Sequence, residues 1–378
     1  INNRIKRTAQ KTILKEKVFE NAHTGISIYD PLKESYLYDY QGYKYFIPAS
    51  NTKLLSCYAA MKYLGDSLPG IQYQILNDTT VLIKGTGDPT ILHPDYHKQP
   101  VFNFLKKFRK IEVASSGFDD FLGNGWAWDD YVYAYSAPRS EMPLYGNVVR
   151  IALNDTKISA SPSYFNKQVF TKGEMQDGFS VTRKWNENEF IVTKGSNKER
   201  DIPYVPFAST QVSLLADTLH LNVVQAALKP TGNNFVYTQP LDSMLTVMMH
   251  RSDNFFAEQS LLMVSEKLTG KMDVAGIIKK LLESDFAKMP QRPRWADGSG
   301  LSPYNLITPN DFVFILNKLK NDFGLERLKT ILPTGGTGTL SSLYKQETGK
   351  IFAKTGTISG VVTLSGYLIT RKNRLLIF

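Results

Sequence analysis

Three short stretches carry residue types that can cooperate in nucleophilic catalysis. Ser50 precedes Lys53 by three in "IPASNTKLLSCYAA" (47–60). Ser252, Asp253 and Asn254 stand in "HRSDNFFAEQ" (250–259), and Lys354, Thr355, Gly356 and Thr357 in "FAKTGTISG" (352–360). A serine hydroxyl is a weak nucleophile near neutral pH and needs a base. A lysine amine serves if burial and a second cation lower its pKa. Lys53 is one helical turn from Ser50, close enough for their side chains to meet, and Lys354 supplies the second cation.

The remaining residue types fit the same chemistry. Ser252 can relay a proton between Lys53, Lys354 and a leaving amine. Asn254 can fix Lys53 and hold a substrate amide. Lys354 and Thr355, or Thr357, can bind a terminal carboxylate, and Gly356 lets a substrate backbone lie along the strand. The backbone N–H groups of Ser50 and Thr357 would form an oxyanion hole. Each motif alone has a plainer reading. Ser50 and the Ser-Asp-Asn run could be helix caps, and Lys-Thr-Gly a strand end before a turn. Ser-x-x-Lys even recurs, at Ser342 and Lys345. That copy follows the Ser-x-Asn motif and lies only about a dozen residues before Lys354, so it is out of order. The three motifs in sequence, on suitable elements, carry the catalytic reading.

The elements that must position these residues follow from pattern. "GISIYD" and "SYLYDY" read as a hairpin after a helix. A helix opens at Ser50 with an apolar stripe of Leu54, Leu55, Tyr58, Ala59 and Met61. Residues 73–92, "YQILNDTTVLIKGTGDPTIL", read as strand, turn, strand, loop, and 98–110 as a helix. Short β-like runs broken by Gly, Pro and Asn then continue to about 240, apart from a helix at 209–221. Helical patterns return at 241–250, 254–268, 273–284 and 309–322. Two strands close the chain. The expected fold is α+β and multidomain, a helix-and-sheet domain interrupted by a β-rich insertion.

Composition bounds the rest. The 378 residues are 42% hydrophobic and 21% charged, with a formal net charge of +10, which fits a globular chain of two or three domains. Basic runs such as "KKFRK" (106–110) are short. No helix-turn-helix, zinc-finger or RNA-recognition signature accompanies them, so no nucleic acid partner is expected. A basic surface would also suit an anionic polymer or an acidic membrane face. The one cysteine, Cys57, lies in an apolar helix and reads as core. His93 and His97 have i,i+4 spacing, but Pro94 intervenes and no Glu follows His93, so no metal site is expected. "GTGDPT" (85–90) lacks a phosphate-loop ending, and there is no Gly-x-Ser-x-Gly elbow. The chain begins without methionine and ends inside a strand-like pattern, so a removed targeting segment and further C-terminal residues are both compatible with it.

The three motifs, with "GTGDPTI" (85–91), "GWAWDDYVYAYSAP" (125–138), "PLYGN" (143–147), "WADGSGLSPYNLITP" (295–309) and "LPTGGTGTL" (332–340), make the chain resemble a known family. It is similar to the class C low-molecular-mass penicillin-binding proteins, the penicillin-binding protein 4 type of D-alanyl-D-alanine carboxypeptidase and endopeptidase. Roughly 200 residues separate Lys53 from Ser252, and such an insertion is that family's hallmark. The resemblance implies a β-lactamase/transpeptidase-like domain, an antiparallel sheet flanked by helices, from 1–65 and 241–378. It implies an inserted second domain from 66–148 and 202–240 and a nested third from 149–201. It further implies a serine DD-peptidase acting on peptidoglycan stem peptides through an acyl-Ser50 intermediate and inhibited by β-lactam antibiotics. No metal or organic cofactor is called for. The expected location is periplasmic or otherwise extracytoplasmic, with peripheral membrane or cell-wall association compatible with it. The alternatives are a β-lactamase-like or esterase activity on the same fold, or a catalytically weak wall-binding protein. One departure stands out. Where the family often shows Asp-x-Ser-x-Phe, this chain reads Ala114-Ser115-Ser116-Gly117-Phe118, which weakens the expected grip on an amine-bearing stem-peptide side chain.

Overall fold

A computed structural model describes residues 2–155, 157–174, 178–194 and 198–378. The chain divides into two compact units. One comprises residues up to Met61, Leu245–Asp253 and Ala275–Phe378; the other comprises Lys62–Met244 and Asn254–Val274.

The first unit is built on a five-stranded sheet in the order Ile351–Ile358, Val361–Ile369, Leu375–Ile377, Ile26–Asp30, Ser35–Tyr40. Every pairing in it is antiparallel, and the two chain ends meet where Tyr29 pairs with Ile377. The strand Leu375–Ile377 therefore adds a third closing strand to the two read from sequence. The helix Lys53–Tyr63 is buried at every position from Lys53 to Met61. It presents no single apolar stripe to a core, and that all-round burial marks a central helix. Helix Pro309–Phe323 starts at a capping box, in which Thr308 Oγ1 accepts from Asp311 N at 3.1 Å and Asp311 Oδ2 accepts from Thr308 N at 3.1 Å.

The second unit holds a five-stranded mixed sheet in the order Asn222–Ala226, Lys110–Ala114, Thr80–Gly85, Ser67–Asn77, Phe235–Pro240. Lys110–Ala114 runs parallel to both of its neighbours, so helices must return the chain. Pro100–Leu105 and Ala208–Leu219 do so. The helix expected at 98–110 is shorter than its pattern: it ends at Leu105 in a turn, and Arg109 and Lys110 already donate to Thr79 O as strand Lys110–Ala114 begins. Two three-stranded sheets follow: Lys198–Pro203 with Val148–Asn154 and Lys157–Ser161, and Val169–Glu174 with Phe190–Lys194 and Ser180–Arg183. One apolar cluster, including Ile83, Ile111, Leu144, Ile151, Phe165 and Phe190, runs through all three sheets. Helix Asn254–Thr269 groups with this unit and is buried from Phe255 to Ser265. Among the described residues, no helix is long and apolar enough to cross a membrane.

Candidate active site

Ser50 sits in a 3-10 turn, Ala49–Thr52, that leads directly into helix Lys53–Tyr63. Ala49 adopts φ +46°, a left-handed conformation that a non-glycine residue holds only under restraint. The restraints are visible. Thr363 Oγ1 donates to Pro48 O at 2.8 Å, Asn51 Nδ2 donates to Ser365 Oγ at 2.8 Å, and Thr52 Oγ1 donates to Ala49 O at 2.9 Å. The turn is stapled to the hairpin that carries the Lys-Thr-Gly motif. Ser50 does not cap the helix. Its Oγ accepts from Lys53 Nζ at 2.9 Å.

Lys53 is fully buried, and its Nζ also donates to Ser299 O at 2.7 Å. That carbonyl belongs to the loop "WADGSGLSP" (295–303), whose organiser is the buried Asp297. Asp297 accepts from Gly300 N, Ser302 N and Asn305 Nδ2, each at 2.8 Å. Gly300 has φ +80°, and a Cβ there would collide with Ala49 O. The sequence reading included this loop in the resemblance but gave it no role. Its signal was the Asp-Gly-Ser-Gly run, a turn-forming string beside apolar residues.

A second serine–lysine contact lies in the same unit. Lys354 Nζ donates to Ser252 Oγ at 2.9 Å and to Thr355 O at 2.7 Å. Ser252 occupies the turn after helix Leu241–Arg251, at φ +60°. Lys354 is fully buried. Burial first, and the charge on Lys53 second, push its ammonium well below the ordinary lysine value. Two like charges placed this way disfavour full protonation of the pair, so a free amine is available nearer neutral pH.

Strand Ile351–Ile358 fixes the third motif. Lys354 pairs with Ser365, Gly356 with Thr363 and Thr357 with Val362. Ala353 donates its N–H out of the sheet to Pro333 O at 3.0 Å. Thr355 and Thr357 share that phase, so their N–H groups face away from the ladder as well. Thr357 is exposed and Thr355 partly so. Gly356 has its own packing reason: a Cβ there would meet Pro48 O at 2.7 Å and Ser50 N at 3.0 Å.

The geometry therefore gathers Ser50, Lys53, Ser252, Lys354 and the strand 354–357 in one unit. Asn254 opens helix Asn254–Thr269 in the other unit, where its Nδ2 donates to Tyr135 O at 2.9 Å. Ser342 and Lys345 are both exposed, so that lysine lacks the burial a base requires. His93 packs edge-on against Phe256 at 5.1 Å, and His97 is exposed. Among the described residues, no group of three or more His, Cys, Asp or Glu side chains could hold a metal ion.

Comparison with protein families matches residues 7–199 and 218–378 to the D-Ala-D-Ala carboxypeptidase 3 (S13) family. The chain belongs to that family. It is a serine-type D-Ala-D-Ala peptidase with the penicillin-binding-protein fold. It is 22% identical to the D-alanyl-D-alanine carboxypeptidase DacB of Haemophilus influenzae, over 97% of this chain and 86% of that one. It is 24% identical to a D-alanyl-D-alanine carboxypeptidase of an Actinomadura species, over 94% of this chain and 77% of that one. Among solved structures, penicillin-binding protein 4 of H. influenzae superposes with a TM-score of 0.75 at 20% identity, covering 93% of this chain and 88% of that one. A penicillin G-acylated predatory endopeptidase of Bdellovibrio bacteriovorus gives 0.51 at 14% identity, covering 93% and 83%. The recognition made from the motifs, and the fold class with it, therefore hold.

Proposed function

We propose that the chain hydrolyses the terminal D-Ala-D-Ala bond, or a D-amino-acid cross-link, of peptidoglycan stem peptides through an ester at Ser50. Lys53 takes the Ser50 proton as Oγ attacks the carbonyl carbon. The N–H groups of Ser50 and Thr357 receive the developing oxyanion. The C–N bond then breaks, and the departing amine takes a proton through Ser252 and the lysine pair. D-Alanine or the cross-bridge amine leaves, and water hydrolyses the ester. Lys354 and Thr355, or Thr357, receive the substrate's carboxylate. Asn254 is assigned to the substrate amide on its motif alone.

The observation that carries this reading is the 2.9 Å bond from Lys53 to Ser50 with Lys53 fully buried. A β-lactam presents a carboxylate and a strained amide to the same groups, so it would acylate Ser50 and block the enzyme. The test pairs fluorescent penicillin labelling with D-alanine release from a pentapeptide stem. Wild type should do both and Ser50→Ala neither. Labelling that survived in Ser50→Ala would refute the assignment.

We also propose a nested organisation, with 1–65 and 241–378 as the catalytic part, 66–148 and 202–240 as an inserted part, and 149–201 as a lobe within it. The two three-stranded sheets of Val148–Pro203 support the lobe. An extracytoplasmic location, where peptidoglycan lies, goes with the same reading, as does peripheral association with the cell wall or membrane.

A further inference from the structure

The charge of the chain is unevenly placed. Its first 15 residues hold five basic side chains, Arg4, Lys6, Arg7, Lys11 and Lys15, and no acidic one, which is half of the formal net charge of +10. They lie in helix Asn2–Ala9, in the π-helical turn Gln10–Leu14 that continues it, and at the residue that caps that turn. Residues three and four apart share a helix face. Arg4, Arg7 and Lys11 therefore form one row, which Lys15 extends, and Ile5, Ala9 and Ile13 form another. The apolar row is the one that packs. Ala9 is buried, Ile5 and Ile13 are half-buried, and the helix lies against strand Ser35–Tyr40. All five cations are exposed. Among the described residues, no carboxylate pairs with any of them.

From this placement we infer that the row Arg4, Arg7, Lys11 and Lys15 is a docking surface for a bilayer that displays anionic phospholipid headgroups. Such a surface accounts for the peripheral association proposed above and rests on that reading. Four cations on one helix face can meet several phosphates at once, and a basic cluster of this size suffices to hold a protein at an anionic membrane. A soluble polyanion would satisfy the charges equally well, but not the side chains beside them. Val18, between Lys17 and Phe19 in the 3-10 turn that follows, is 77% exposed. Leu32 is 86% exposed in the turn leading into Ser35–Tyr40, the strand on which the helix packs, and the exposed Lys33 follows it. An aliphatic side chain beside a lysine gains from the boundary between headgroups and acyl chains. A hydrated polymer offers it no such boundary. Glu16, Glu20 and Glu34 are also exposed and thin the positive charge around Val18 and Leu32, so the row on the helix carries the electrostatic attraction.

Co-sedimentation of the full chain with vesicles tests this. Wild type should bind vesicles of phosphatidylglycerol and phosphatidylcholine but not phosphatidylcholine alone, and should be released as salt rises from about 0.05 M to about 0.5 M. Arg7→Gln combined with Lys11→Gln should weaken binding about 25-fold, at about fivefold per charge. Arg7→Lys combined with Lys11→Arg should bind as wild type does. Lys279→Gln combined with Lys280→Gln removes the same charge from exposed positions of helix Val274–Glu283 and should leave binding within about twofold of wild type. Val18→Ser should weaken binding to vesicles while leaving the salt dependence in place. Failure of wild type to bind the mixed vesicles would overturn the inference. So would equal losses in the two glutamine pairs, or binding to poly(glycerol phosphate) without binding to vesicles. Penicillin labelling of the same proteins separates the two claims. Absent labelling with vesicle binding intact would sink the peptidase reading, whereas normal labelling without vesicle binding would sink only the docking surface.

Discussion

Lys53 and Lys354 are both fully buried, and the charge on the first helps drive the ammonium of the second well below its ordinary value. Each lysine also holds one serine, Ser50 or Ser252, at 2.9 Å. The sequence reading assigned the lowered pKa to Lys53. Burial first, and the charge on Lys53 second, lower the Lys354 pKa, and any two neighbouring cations each raise the cost of the other. Proton loss from the pair should therefore set the acid limb of the acylation profile.

Lys53→Ala should abolish acylation, since it removes the amine that contacts Ser50. Lys354→Ala should move the acid limb of kcat/KM to higher pH, because Lys53 then keeps its proton without a neighbouring cation. An ester substrate without a carboxylate isolates this effect from lost carboxylate binding. A limb that stays put in Lys354→Ala, or near wild-type acylation in Lys53→Ala, would contradict the coupling.

Gly356→Ala should lower the acylation rate on the order of 10²–10³, the loss expected when an oxyanion donor is displaced. The added methyl would press on Pro48 O and Ser50 N, so the nucleophile's own turn must shift. Stopped-flow acylation with a chromogenic β-lactam measures it. A rate within a factor of about two of wild type would show that the Ser50 turn yields without consequence.

Much of this was legible in the chain. The four long helices expected between 241 and 322 lie within two residues of the observed ones; Val274–Glu283 carries a clear apolar face and Pro309–Phe323 opens at a capping box, both local signals. The in-order motifs singled out Ser50, Lys53, Ser252 and Lys354, and the fold pairs them as Lys53 with Ser50 and Lys354 with Ser252. The carbonyl that steadies Lys53 was not legible, since Ser299 acts through its backbone and reaches Lys53 only in the fold. The packing reason for Gly356 depends on how closely Pro48 and Ser50 approach the strand, which no spacing reveals. Helix Leu325–Ile331 escaped for a plainer reason. It is short and takes its stability from neighbours.

Asp88, in the "GTGDPT" loop, is fully buried. Burial pushes its carboxyl from 3.8 up to about 6, against hydrogen bonds from Thr238 and Thr90 that favour the charged form. An acid with a raised folded pKa contributes stability that is fully present below the unfolded value near 3.8 and is lost as pH rises through about 6. The shift corresponds to on the order of 3 kcal/mol. Asp88→Asn should therefore gain stability relative to wild type as pH rises across that window. Urea unfolding on either side of it tests the sign. A relative gain for wild type toward higher pH would contradict it.

Ala114 is 4% exposed and lines a small cavity with Glu141, whose carboxylate accepts from Ser115 Oγ at 2.9 Å and Ser116 N at 2.8 Å. Wild type should discriminate weakly, by less than about tenfold in kcat/KM, between stem peptides with and without a side-chain amine. Ala114→Asp should strengthen that preference while lowering stability by roughly 1–3 kcal/mol, because it buries a second carboxylate beside Glu141. A strong wild-type preference that Ala114→Asp left unaltered would place the contact elsewhere. Asp119 would then be favoured over Asp120, which pairs with Arg139 at 2.6 Å.

Acylation of Ser50 is the central claim, and peptide-mapped mass spectrometry after penicillin treatment tests it most directly. One adduct per chain, confined to the peptide that contains Ser50 and absent from Ser50→Ala, is the predicted result. An adduct on the peptide containing Ser342, or one that persists in Ser50→Ala, would contradict it.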